Sequence, residues 1–194
     1  MEAQSKNEPL QTPPVDGTDD REARSKFWIA VCTHSRSEKK IGITLSKLGI
    51  ENYIPVQSVI KQWSDRKKKM DIVVIPNIVF VHLRDNDISI IRQYSLIKKI
   101  ISLPGQKEPA RIPSEQIDKL KFMLEESTSP VRFRTVNFKK HDTVKVIRGN
   151  LKGLTGTVER ISEKKSLLIV SIDLLGGATV EIDTAYLEIL NDPS

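Results

Sequence analysis

The sequence predicts an α+β domain followed by a small all-β barrel. Three observations predict it. From Phe27 to Leu124, apolar strand patterns alternate with helical stripes in the order β-α-β-β-α-β-α, as in an antiparallel sheet with helices on it. From Asp142 onward only short strands follow, five in under 60 residues, which suits a barrel. Between them, Glu125–Asn137 holds Ser127, Thr128, Ser129 and Pro130 with no helical stripe, and reads as a linker. The expected division is a disordered acidic tail over 1–25, the α+β domain over 26–126, the linker over 127–138 and the barrel over 139–192.

In the tail, Pro9, Pro13, Pro14 and Gly17 accompany Asp16, Asp19, Asp20 and Glu22, and little apolar surface is available to offset ordering. Phe27–Thr33 (FWIAVCT) is an apolar strand. Ser35 and Glu38 have capping-box spacing, Ile41, Leu45 and Leu48 follow at helical spacing, and Gly49 stops that helix. Ile50–Gln62 and Ile72–Leu83 read as second and third strands forming a long hairpin, the third interrupted at Pro76-Asn77. Asp85–Asp87 caps a short helix to about Tyr94, and Ile97–Leu103 is a fourth strand. Pro113-Ser114-Glu115 opens the last helix, with Ile117, Leu120 and Leu124 on one face.

The all-β strands are Val144–Ile147, Thr155–Arg160, Leu167–Asp173, Ala178–Ile182 and Tyr186–Ile189. The first two flank a polar segment punctuated by Gly149, Gly153 and Gly156, residues suited to φ > 0 or close backbone approach. Val146, Gly149, Gly153, Gly156 and Val158 resemble the KOW motif in register. The segment is not a P-loop: its first glycine spacing is too short, and no Gly-Lys-Ser/Thr follows.

Charge and composition narrow the functional classes. A formal net charge of +6 suits a phosphate-rich or acidic partner as well as a generic soluble surface. The single cysteine allows no intrachain disulfide and fits a reducing compartment. No apolar run reaches membrane-spanning length and no signal-peptide h-region is seen, so the cytoplasm is the expected location, with no membrane partner. Cys32 and His34 share one side of a strand, but no third group orients them as a nucleophile and base, and a structural cysteine is favoured. His34, His82 and His141 are scattered without metal-ligand spacing. Trp28 and Trp63 read as core or rim. The expectation is a non-enzymatic binding protein with no cofactor and no metal.

Taken together, Phe27 to Leu190 resembles the NusG family of transcription elongation factors, in which an NGN domain is linked to a KOW domain with an SH3-like barrel. FWIAVCT is similar to the family's opening aromatic strand. VIPNIVFV, Val74–Val81, resembles its Phe-Pro-Gly-Tyr-Val-x-Val segment, matching at Pro76, Val79 and Val81 and departing at Ile75, Asn77 and Ile78. The Pro-Asn pair is similar to the specialised paralogue RfaH, and with the acidic tail to UpxY-type regulators of capsular polysaccharide operons. The resemblance implies a monomeric elongation and antitermination factor. It implies that Ile75, Pro76, Ile78 and Phe80 contact the clamp helices of the largest RNA polymerase subunit. It also implies contact with non-template DNA or nascent RNA, and a ribosomal protein or termination factor on the KOW domain. A ribosome- or RNA-binding KOW protein is the alternative.

VVIPNIVFV is apolar on both faces, so with helices on one face the other exposes an apolar patch. Ile75 and Ile78 are brought to one face by a bulge at Pro76-Asn77. Arg66, Lys67, Lys68 and Lys69 crowd a hairpin tip, and His34 and Arg36 follow the first strand; these six are the candidate nucleic-acid contacts, against the plainer reading of a solvated tip and a helix cap.

Overall fold

The computed structural model describes residues 25–62, 66–134, 142–172 and 175–190. The tail over 1–24, Trp63, His141 and linker positions 135–138 lie outside the described residues.

The N-terminal sheet is built on two neighbouring strands, β1 (Phe27–Thr33) and β5 (Ile78–Leu83), which pair antiparallel from Phe27↔Leu83 to Cys32↔Ile78. Outside them lie β2 (Glu51–Tyr53) on β5 and β6 (Ile97–Ile100) on β1, giving the order β2-β5-β1-β6. Alternation along β1 and β5 sends Trp28, Ala30, Ile78 and Phe80 into one apolar cluster and Ile29, Val31, Val79, Val81 and Leu83 into another. Helices α1 (Glu38–Lys47) and α2 (Ile88–Arg92) cover the second cluster with Ile41, Leu45 and Ile91. Helix α3 (Ser114–Glu126) covers the first with Ile117, Leu120, Met123 and Leu124. The expected exposed apolar face is therefore absent among the described residues. The stripe on α3 fills it, and burying each large apolar side chain is worth ~1.5–3 kcal/mol.

Each long strand of the expected hairpin divides into two. After β2 the chain turns at Ile54-Pro55 and continues as β3 (Val56–Gln62), which pairs with β4 (Lys67–Val73) in a separate two-stranded sheet. The Val74 amide donates to the Pro55 carbonyl at 2.8 Å and closes the base of this arm. Between β4 and β5, Ile75-Pro76-Asn77-Ile78 is a turn rather than a bulge. Asn77 has φ 62°, and the Ile78 amide reaches the Ile75 carbonyl at 3.4 Å. Proline second and a left-handed residue third is the pattern of a type II turn. Ile75 and Ile78 do reach the same cluster, through this turn.

Helix α1 begins two residues later than the Ser35–Glu38 spacing predicts. Ser37 occupies the N-cap without a side-chain cap bond, and Glu38 is the first helical residue. At the other end the expected stop holds: Gly49 has φ 72°, and the Gly49 and Ile50 amides donate to Ser46 and Leu45 carbonyls as in a Schellman motif.

The C-terminal sheet has the order β12-β8-β9-β10-β11-β7. Its strands are β8 (Asp142–Val146), β9 (Thr155–Arg160), β10 (Lys165–Ile172), β11 (Gly176–Asp183) and β12 (Leu187–Ile189), with a 3₁₀ turn, Thr184–Tyr186, before β12. The remaining strand, β7 (Arg132–Arg134), comes from the segment expected as linker. It takes the free edge of β11, while the 3₁₀ turn carries the chain to β12 without a β11–β12 ladder, so the expected barrel is an open sheet in hydrogen-bonding terms. Val144, Val146, Leu168, Val170, Ile172, Ala178 and Val180 join the same cluster as Trp28, Phe80 and α3, and α3 packs on β10.

Candidate protein and nucleic-acid interfaces

The β3–β4 arm leaves the sheet at the end where β1 finishes and β5 begins. Its strand residues pair in register from Val56↔Val73 to Gln62↔Lys67, which sets Ile60 opposite Lys69 and Lys61 opposite Lys68. Arg66, Lys67, Lys68 and Lys69 are all exposed, and none is ion-paired to another described residue. Ile60 between them is 72 % exposed. Nearer the base, Ser58 donates to Asp71 at 2.6 Å.

His34 and Arg36 lie at the same end of the sheet, in the loop after β1. The His34 amide donates to the Leu96 carbonyl at 3.0 Å, and Arg36 has φ 60°. Both side chains are exposed. Beside them the buried Glu38 carboxylate accepts the Asn77 amide at 2.8 Å, and the Asn77 carbonyl accepts the Thr33 amide at 2.8 Å. Sequence reasoning assigned Glu38 to a cap and missed this contact across the fold.

Of the four residues expected to meet a protein partner, Pro76 is exposed, whereas Ile75 (3 %), Ile78 (9 %) and Phe80 (0 %) are buried. A further group on the α3-covered face had no sequence signal beyond its aromatics. Trp28 stacks on His82 with ring centres 4.7 Å apart, and the Lys121 ammonium lies 4.9 Å from the Trp28 ring and 5.4 Å from that of Tyr53. His82 Nδ1 is 2.7 Å from Glu51 Oε2, and that hydrogen bond holds the Glu51 carboxyl below its ordinary range. Burial pushes the Tyr53 phenol up, with the Glu125 charge adding to it. Among the described residues, no group of His, Cys, Asp and Glu gathers as a metal site, and no helix is long and apolar enough to cross a membrane. Cys32 is half-buried, packs on the first apolar cluster and makes a weak Sγ contact to its neighbour's carbonyl.

The glycine segment is used as its spacing suggests. Gly149 and Gly153 have φ 76° and 94°. Gly156 is needed for space: a Cβ there would lie 2.4 Å from the Ile169 carbonyl oxygen. Main-chain bonds from Gly153 to Val146 and from Val146 to Leu154 close the turn. Val146 is fully buried and Val158 packs on the core.

A model of the family described as transcription termination factor nusG matches residues 26–121, and the KOW motif model matches 142–183. The chain is similar to the transcription termination/antitermination protein NusG of Vibrio vulnificus, 28 % identical over 185 residues, covering 88 % of this chain and 99 % of that protein. It is likewise similar to the protein of that name from Escherichia coli K12, 26 % identical over 182 residues, covering 86 % and 98 %. Among solved structures, one titled for the domain interaction in Thermotoga maritima NusG matches with a TM-score of 0.49 at 23 % identity, covering 87 % of this chain and 99 % of that one.

Proposed function

The chain belongs to the NusG family, and from that premise we propose that it binds RNA polymerase through its N-terminal domain and suppresses pausing or termination. It is a transcription factor of the termination/antitermination class and not an enzyme. The observation that carries the finer reading is the β3–β4 arm: four exposed cations on a two-stranded projection, unpaired with any other described residue. Such an arm suits the phosphate backbone of non-template DNA or nascent RNA, with His34 and Arg36 at its root. The polymerase contact is assigned to Ile75, Pro76, Ile78 and Phe80. Pro76 is its accessible member, and engaging the others requires the cover over α3's side of the sheet to shift. The C-terminal module is the seat of a second partner, a ribosomal protein or a termination factor. The specialised reading adds service at particular operons, such as those for capsular polysaccharide, in the cytoplasm.

Occupancy across a genome tests this. Enrichment with RNA polymerase over a few operons is the expected pattern. Occupancy of most transcribed genes would replace the specialised reading with a general factor. Retention on ribosomes without polymerase would replace it with a ribosome-bound protein.

A further inference from the structure

We propose that Gln57 is the catch of a strap that fastens the C-terminal sheet to the β3–β4 arm, so that the two move as one body. Gln57 sits on β3 and is 3 % exposed, a burial that a neutral amide tolerates only when bonded. Its Nε2 donates to the Ser129 carbonyl at 3.0 Å and to the Ser127 carbonyl at 3.4 Å. Its Oε1 accepts the Val131 amide at 2.9 Å. An amide N–H accepts nothing, so Val131 fixes which end of Gln57 faces it. The catch therefore reaches 70 to 74 positions along the chain and holds three points of the strap.

The strap is shaped to be held. Ser127 Oγ donates to the Ser129 carbonyl at 2.8 Å and accepts the Ser129 amide at 3.2 Å, a local turn that presents both carbonyls to Gln57. Val131 is buried in the cluster shared by both modules. The next residues are β7, which pairs with β11 as Arg132↔Thr179, Phe133↔Ala178 and Arg134↔Gly177. Thr179, itself 2 % exposed, donates from Oγ1 to the Arg132 carbonyl at 3.2 Å. A three-residue strand is marginal by itself. Its register depends on what anchors the chain just before it, and that anchor is the Val131 amide in Gln57. A Ser-Thr-Ser-Pro segment in solution would be a loose tether; bonded at Gln57 and at Thr179 it becomes a short rigid link.

Hydrogen exchange of the full chain by NMR tests the strap, with ¹⁵N relaxation recorded in parallel. In Gln57→Leu, protection of the Val131 amide and of β7 should fall about tenfold or more, while β1 and β5 stay within about twofold. The N-terminal and C-terminal modules should tumble with one correlation time in the unaltered chain; in the variant, where α3 still packs on β10, relaxation should show added internal motion in the strap and β7. Thr179→Val, at the other end, should release β7 but leave Val131 protected. The proposal is overturned by unchanged β7 protection in Gln57→Leu, by an equal loss in β1 and β5, by unchanged β7 in Thr179→Val, or by two correlation times in the unaltered chain.

Discussion

The Asn77 amide donates across 2.8 Å to the carboxylate of Glu38, which is only 7 % exposed. This bond ties the start of α1 to the turn that launches β5, and it holds Asn77 at the positive φ that the turn requires. Glu38→Ala would leave that N–H without its acceptor. The expected loss is ~1–3 kcal/mol, read as a shift of the urea midpoint at constant slope. Glu38→Gln keeps an acceptor oxygen and should lose less than half as much. Asn77→Gly, which relieves the left-handed cost, should be near neutral, and Asn77→Val should be the worst of the set. Equal stabilities for Ala and Gln at 38 would show that the bond does not hold the turn.

The close approach at Gly156 gives a second prediction. An added Cβ would meet the Ile169 carbonyl oxygen, a backbone atom that cannot rotate away. Gly156→Ala should destabilise the C-terminal sheet by ~1–3 kcal/mol through overpacking. Gly153→Ala meets nothing within 4 Å, and its cost is only that of φ 94°, ~1–2 kcal/mol. Thermal melting should therefore rank Gly156→Ala at or below Gly153→Ala. The reverse order would mean that the β9–β10 pairing relaxes locally to make room.

Much of this fold was legible because its signals are local. The apolar alternation of FWIAVCT, the stripe on α3 and the glycine spacing of 149–156 each report a short stretch of chain, and strands, helix and turn stand where those patterns lie. The order of β8 to β11 is also legible, since those neighbours in sequence pair, whereas the edges taken by β7 and β12 are not. What sequence did not carry are the contacts that join distant segments. Gln57 reads as an ordinary polar strand residue until the strap is seen against it. Ile54-Pro55 and Ile75-Pro76 hide the transfer of two long strands from one sheet to another, because apolar patterning continues through both. The candidate site divides the same way. The cations of the arm are exposed as expected, whereas Ile75, Ile78 and Phe80 are buried in the cluster that α3 and the C-terminal sheet share, and the stripe on α3 gave no hint of which sheet face it would take.

That cover changes what Ile78→Asp should do. At 9 % exposure Ile78 lies in the core with Phe80 and α3. An ionised carboxylate has no partner there, so the variant should lose at least ~2 kcal/mol. The check pairs thermal melting with retention on immobilised RNA polymerase, and uses Pro76→Ser as the exposed control. Pro76→Ser should melt within a few degrees of the parent and bind less well. Normal melting of Ile78→Asp would mean that the face opens readily in solution.

Replacing Arg66, Lys67, Lys68 and Lys69 together by alanine should weaken binding to duplex or fork DNA and flatten its salt dependence. Each phosphate contact contributes ~0.9 to the slope of log K against log salt on B-form DNA, so loss of all four lowers the slope by up to ~3.6. Stability should change little, since all four side chains are exposed. An unchanged slope measured between low and moderate salt would assign the run to solvation alone.

The sheet order also dictates a schedule for synthesis. β1 is the first described strand to leave the ribosome, yet its partner β5 lies about fifty residues later, and Ile112, which bridges to Trp28, later still. Until β5 follows, this strand has no ladder, and until α3 follows one of its two apolar faces has no helical cover; closing so long a loop is slow. Strands β8 to β11 pair each with the next and face no such wait. The nascent N-terminal half is thus the aggregation-exposed stage of this chain's life. A chain halted at residue 100 should partition into the insoluble fraction, while one halted at residue 134, with α3 complete, should stay in solution.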